Sequence, residues 1–177
     1  QIQDDLSNTL AANPKTYSAS ATLALVSHSS PQGFIQIQHV GDSRVYLFSG
    51  HQHKWYALTK DHNFLNEMAE NGEIQIIVGQ EYASFYYMLN YCFCADSQHE
   101  IPEFSPQEEY LTEEDALLIC SDGVHDILEC DTWQPLLAET SLKTWLMEMK
   151  NALYQHHAYD NVSMILIRLK RGHQNES

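Results

Sequence analysis

The chain has 177 residues, 44% of them hydrophobic and 19% charged. That is the composition of a globular domain able to bury a core, not of a disordered tract. Asp and Glu outnumber Lys and Arg by 24 to 9, a formal net charge of -15, which argues against nucleic acid and anionic membranes as partners and favours divalent cations. No apolar run approaches the roughly 20 residues of a membrane span, and no charged start followed by an apolar stretch marks a signal peptide. Cys92, Cys94, Cys120 and Cys130 lack paired zinc-ligand spacing and read as reduced, buried thiols. Together these point to a cytoplasmic protein. The sequence starts at Gln1 rather than Met, as a processed product or a part of something longer would.

In chain order, a weak helical signal over 4–10 is followed by the Asn13 and Pro14 punctuation and a buried strand over 19–28. A turn over 29–33 leads into residues 34–40, where apolar and polar residues alternate with the period of a half-buried strand. Gly41, Asp42 and Ser43 turn the chain into a strand over 44–48, and 55–58 pairs back to give an antiparallel meander. Residues 63–71 have helical spacing at Phe64, Leu65, Met68 and Ala69, with Gly72 as a stop. A short helix over 84–89 and an irregular stretch with an edge strand over 92–110 come next. Residues 116–120 form a short, fully apolar strand. The stretch 133–157 predicts two helices, the first capped by Asp131 or Thr132 and the second by Ser141. Leu142, Trp145, Leu146, Met149 and Leu153 make one apolar face of the second. A last strand over 162–169 completes an α+β order.

Three acidic motifs stand beside these strands: Gly41, Asp42, Ser43 and Arg44; Cys120, Ser121, Asp122 and Gly123; and Asp160 with Asn161. Each is also an ordinary turn signal, and Asp42 could simply pair with Arg44. A carboxylate at a strand end, however, sits on a rigid support beside solvent, and three such ends together make an oxygen-rich site for Mg²⁺ or Mn²⁺. Asp126 lies four residues after Asp122, so a helical turn presents both carboxylates on one side. Their mutual repulsion would raise one pKa unless a cation intervenes. Two histidine pairs, His51 with His53 and His156 with His157, lack a further ligand at a telling spacing. No Ser-His-Asp arrangement or glycine-rich phosphate loop is present, and no catalytic nucleophile can be assigned.

Taken in order, several segments resemble the metal-dependent Ser/Thr protein phosphatase family, type 2C. They are Ser18 to Thr22; Val40 to Leu47, which contains Gly41, Asp42 and Ser43; Leu58, Thr59, Lys60, Asp61 and His62; Ala69 to Ile74; Leu117 to Gly123; and Asp160 to Ser163. The resemblance implies an αββα sandwich of two antiparallel sheets flanked by helices, here lacking its first strands, with 1–177 as a partial phosphatase-like domain. It implies Mn²⁺ or Mg²⁺ as cofactor, phosphoserine or phosphothreonine in a phosphoprotein as substrate, and metal-dependent hydrolysis as the reaction. Asp122 and Asp160 match ligands of the family's two-metal centre, Asp42 and Asp126 match a further, weaker metal site, and the Thr59, Asp61 and His62 segment is structural. The family's opening third, with a bridging Asp, an adjacent Gly and a phosphate-gripping Arg, has no counterpart here. The resemblance therefore implies weak metal binding and little hydrolysis by this chain alone, and sheet edges that a partner chain or another segment completes. The alternative reading is a catalytically silent phosphatase-like module that binds a protein partner.

Overall fold

The structure, a computed structural model, describes residues 2–10, 15, 20–28, 33–77, 79–95 and 105–169. The turn residues Asn13 and Pro14, most of the turn over 29–33, and the motif residues Ser18 and Ala19 lie outside the described residues. The chain divides into two compact units, Gln1–Leu25 with Gln38–Ser43 and Lys60–Ser105, and Val26–Ile37 with Arg44–Thr59 and Pro106–Ser177. No helix among the described residues is long and apolar enough to cross a membrane.

The second unit is built on a four-stranded antiparallel sheet in the order β5, β4, β8, β9, comprising Lys54–Ala57, Arg44–Ser49, Ala116–Cys120 and Met164–Arg168. Tyr46 and Phe48 of β4 and Ala116, Leu118 and Cys120 of β8 supply its share of one buried cluster. Val45 and Leu117, of opposite parity, are buried as well, which explains why β8 reads as apolar throughout instead of alternating. The same unit holds β7 (Gln107–Tyr110), paired antiparallel with the first residues of β3 (Phe34–Val40), where Ile35 and Ile37 are buried as the alternation requires. With β2 (Leu23–His28) on the other flank of β3, these form a three-stranded sheet.

Helix α4 (Leu142–Gln155) covers the four-stranded sheet. Ser141 caps it by accepting the Thr144 N–H at 3.0 Å, and Trp145, Met149 and Leu153, spaced by four, are its buried stripe. Trp145, Trp55 and Trp133 pack ring against ring, with centroids 5.0 to 6.5 Å apart. The first helix expected over 133–157 is absent. A single 3₁₀ turn covers Cys130–Thr132, and 134–137 are irregular. The reason is a competition for carbonyls. Gln134 O accepts the indole N–H of both Trp55 and Trp145, and the Arg168 guanidinium donates to Leu136 O, Leu137 O and Ala138 O. Pro135 adds the lack of a backbone donor.

In the first unit, α1 (Ile2–Leu10) is tied to β6 (Phe93–Cys94) by one side chain. The Gln3 amide nitrogen donates to Cys94 O and its oxygen accepts the Cys94 N–H, so the side chain acts as a short strand. Among the described residues, β6 pairs only with β1 (Ser20–Ala21). Helix α2 (Phe64–Glu70) starts where expected, with Asn63 accepting the Asn66 N–H at 2.9 Å, and Gly72 follows it at φ 75°. The short helix expected over 84–89 is a 3₁₀ turn over Ser84–Tyr87.

His62 fastens the turn after β3. Its backbone N–H donates to Gly41 O at 3.0 Å, and its Nδ1 accepts the Gly41 N–H at 3.2 Å. The ring stacks on His39 at 4.3 Å, and His39 Nε2 lies 2.7 Å from Lys60 O. Burial, with a contribution from His39, lowers the His62 pKa to about 4.

Two outcomes follow from this packing. Trp145→Phe removes a buried indole bond and leaves a void, and should lower the unfolding free energy by about 1–3 kcal/mol in a urea titration followed by fluorescence. His62 must stay neutral to accept the Gly41 N–H. Between about pH 6.5 and 4 the unfolded chain binds the proton that the folded chain does not, so this contribution to stability is intact above 6.5 and is lost as pH falls towards 4. An NMR titration of the His62 ring should give a midpoint near 4; a midpoint near 6.5 would contradict the acceptor role of this half-buried ring.

Candidate metal centre

The ends of β8 and β9 are locked together beyond their last paired residues, Cys120 and Met164. Ser121 N–H donates to Ser163 O at 3.1 Å, Ser163 N–H donates to Ser121 Oγ at 3.1 Å, and that hydroxyl donates to Asn161 O at 3.2 Å. One serine thus joins the two turns through main chain and side chain at once. Gly123 follows in α3 (Asp122–His125), and its backbone lies against Asn161: a Cβ there would overlap the Asn161 carbonyl oxygen and come within 3.1 Å of its carbon. Only glycine permits that approach.

The same contacts bring the segments bearing Asp122 and Asp160 side by side. Each carboxylate is oriented by its own turn. Asp122 Oδ1 accepts the Gly123 N–H at 2.8 Å, and Asp160 Oδ1 accepts the Asn161 N–H at 2.6 Å. Such local bonds are what a turn aspartate makes in any protein, but here the two turns adjoin.

Asp126 caps α3, its backbone N–H donating to Asp122 O at 3.0 Å. The rise in carboxylate pKa expected from the Asp122 and Asp126 spacing is reversed at Asp126. His125 Nδ1 lies 3.2 Å from its Oδ1, and this contact, opposed by partial burial and aided by the charge of Arg44, holds Asp126 below its ordinary value. His125, which the sequence reading passed over in favour of the exposed His51, His53, His156 and His157, is the buried histidine among the described residues. Its signal was its place between Asp122 and Asp126. Arg44 Nη1 donates to Tyr46 Oη at 3.1 Å, and burial pushes the Tyr46 hydroxyl up to about 12.

Asp42 belongs to the other unit. Gly41 before it has φ 98°, and a Cβ at that position would overlap the Thr22 side chain, while Thr22 Oγ1 and Ser43 Oγ share a hydrogen bond of 2.7 Å. Thr22 and His62 therefore hold the Asp42 turn from two sides.

A cleft of about 300 Å³ opens beside Asp160, lined by Lys150, Leu153, Tyr154, Ala158 and Met164 among others. Lys150 Nζ sits 5.6 Å from the centre of the Tyr154 ring; the sequence reading did not single out either residue. Among the described residues no three His, Cys, Asp or Glu side chains are gathered as a ready metal cage. Two oriented carboxylates on adjoining turns instead suit a hard cation that keeps most of its waters.

The model of the family described as protein phosphatase 2C matches residues 1–70. A Mycoplasma pneumoniae protein described as "Putative protein phosphatase" is 25% identical over 166 residues, which are 93% of this chain and 62% of that protein. The chain thus spans less than two thirds of this curated relative. The S. agalactiae serine/threonine phosphatase superposes with a TM-score of 0.78 at 20% identity, over 95% of this chain and 66% of the other. The Mycobacterium tuberculosis serine/threonine phosphatase PstP/Ppp gives 0.78 at 19% identity, over 95% and 68%; a structure of the PstP catalytic domain holds two manganese ions. In sequence over its first 70 residues and in fold along nearly all its length, the chain is similar to protein phosphatase 2C and carries the α+β fold of those phosphatases.

Proposed function

We propose that residues 1–177 are the larger part of a metal-dependent phosphatase domain that hydrolyses phosphoserine and phosphothreonine in proteins. The observation that carries this reading is the joining of the Asp122 and Asp160 turns through Ser121 and Gly123. It is supported by the match to protein phosphatase 2C and by the manganese ions in PstP.

Asp122 and Asp160 would hold Mn²⁺ or Mg²⁺, and Asp126 and Asp42 are, by resemblance, further candidate ligands, each on its own unit. A divalent ion bound there supplies Lewis-acid stabilisation of charge on a phosphoryl group. The chain's own part is to hold both carboxylates in fixed orientation, each with one oxygen engaged by the following N–H. The contact with His125 holds the Asp126 pKa below its ordinary value, and Asp126 is an anionic oxygen donor at neutral pH. The surplus of acidic residues draws cations towards the protein. Strand β9 is an outer strand of its sheet, with Ile165 59% exposed, a suitable edge for the segment or partner chain that would complete the sheets.

In the full-length encoded protein, hydrolysis of p-nitrophenyl phosphate should require Mn²⁺ or Mg²⁺. It should fall at least about 100-fold in Asp122→Ala and in Asp160→Ala; unchanged turnover in both variants would remove the site. Gly123→Ala should separate the two turns, costing about 1–3 kcal/mol of stability and weakening Mn²⁺ binding in calorimetric titration. Wild-type binding by a variant that is measurably destabilised would show that the carboxylates do not depend on this contact.

A further inference from the structure

Cys92 and Cys94 flank the buried Phe93 at the start of β6, and side chains two apart in an extended segment leave the same face. Their sulfurs are 3.2 Å apart, about 1.2 Å longer than a disulfide bond. Both residues are partly exposed, so a small reagent can reach them.

What separates such a pair from a bond is the backbone. In a fully extended segment, Cα atoms two residues apart stand about 6.6 Å from each other, at the upper end of the disulfide range. Bond closure must therefore bend the chain. A central strand of a large sheet would resist. β6 is two residues long, its only strand partners among the described residues are Ser20 and Ala21, and Cys94 is also held by the Gln3 side chain. The segment can yield at small cost.

We propose that Cys92 and Cys94 form a reversible oxidation site that closes an intrastrand disulfide with a low-molecular-weight disulfide as oxidant, and that closure releases β6 from β1 and Gln3. One cysteine, as thiolate, attacks a sulfur of the oxidant and expels one thiolate. The second cysteine loses its proton, attacks the protein sulfur of the mixed disulfide and expels the other. The two cysteines give up two electrons and two protons, and the oxidant becomes two thiols. Burial, with the facing Cys94 thiol adding to it, pushes the Cys92 thiol up to about 11. Attack by Cys92 on the oxidant is accordingly slow at neutral pH, whereas the closing step occurs between sulfurs already in contact.

The test is incubation of the chain with glutathione disulfide, blocking of remaining thiols with N-ethylmaleimide, and peptic peptide mapping. The peptide carrying residues 92–94 should lose two hydrogens, take no maleimide, and regain two labels after dithiothreitol. Hydrogen exchange at the Cys94 amide should quicken at least ten-fold on oxidation. Cys92→Ser and Cys94→Ser should each arrest the reaction as a glutathione adduct on the remaining cysteine. A lasting glutathione adduct in the wild-type peptide, or two maleimide labels after exposure to glutathione disulfide, would overturn the site. A closed disulfide with unchanged Cys94 exchange would overturn the release of β6. The wild-type mapping stands whether or not the serine variants fold.

Discussion

The close approach of two backbones at Gly123 is the constraint on which the candidate centre depends. Carboxylates repel, and nothing in the charge of Asp122 and Asp160 would draw their segments together. The approach is instead imposed by neutral groups: the β8 and β9 ladder, the Ser121 hydroxyl that serves both turns, and a residue without a side chain where a Cβ would meet Asn161. Hydrogen bonding and packing thus set two acidic turns side by side, the arrangement that the proposed cation site requires.

Those turns are held in place by a core that combines apolar burial with directed bonds. Trp55 and Trp145 are buried to 5% and 1% exposure, yet each keeps its indole N–H satisfied on the single carbonyl of Gln134. The arrangement fixes the irregular segment before α4, and α4 fixes the sheet whose strand ends carry the aspartates. An aromatic cluster without that shared acceptor would strand two buried donors, at about 1–3 kcal/mol each.

Much of this order was legible in the residues. Alternation marked β3 to its ends, and the fully apolar 116–120 marked β8, because both faces of that strand are covered. The aspartates were legible as turn residues at strand ends, but only the three-dimensional pairing of β8 with β9 shows which turns adjoin. The error over 133–141 has the opposite cause. Local helical preference was overruled by donors from Trp55 and from Arg168, remote in sequence and invisible to any local pattern. His125 was missed because its neighbours, not its spacing to other histidines, give it meaning. The paired thiols looked unremarkable as a Cys-x-Cys motif, and the 3.2 Å between their sulfurs is a property of the folded segment alone.

Gln3 carries one more consequence. Its amide stands in for a peptide unit, donating and accepting on the same main-chain residue of β6, as the two ends of a primary amide allow. Replacement of its nitrogen by oxygen, the chemistry of spontaneous deamidation, would keep the bond from the Cys94 N–H but set oxygen against the Cys94 carbonyl. The mooring of the first helix would then turn from attraction to repulsion by the exchange of a single atom.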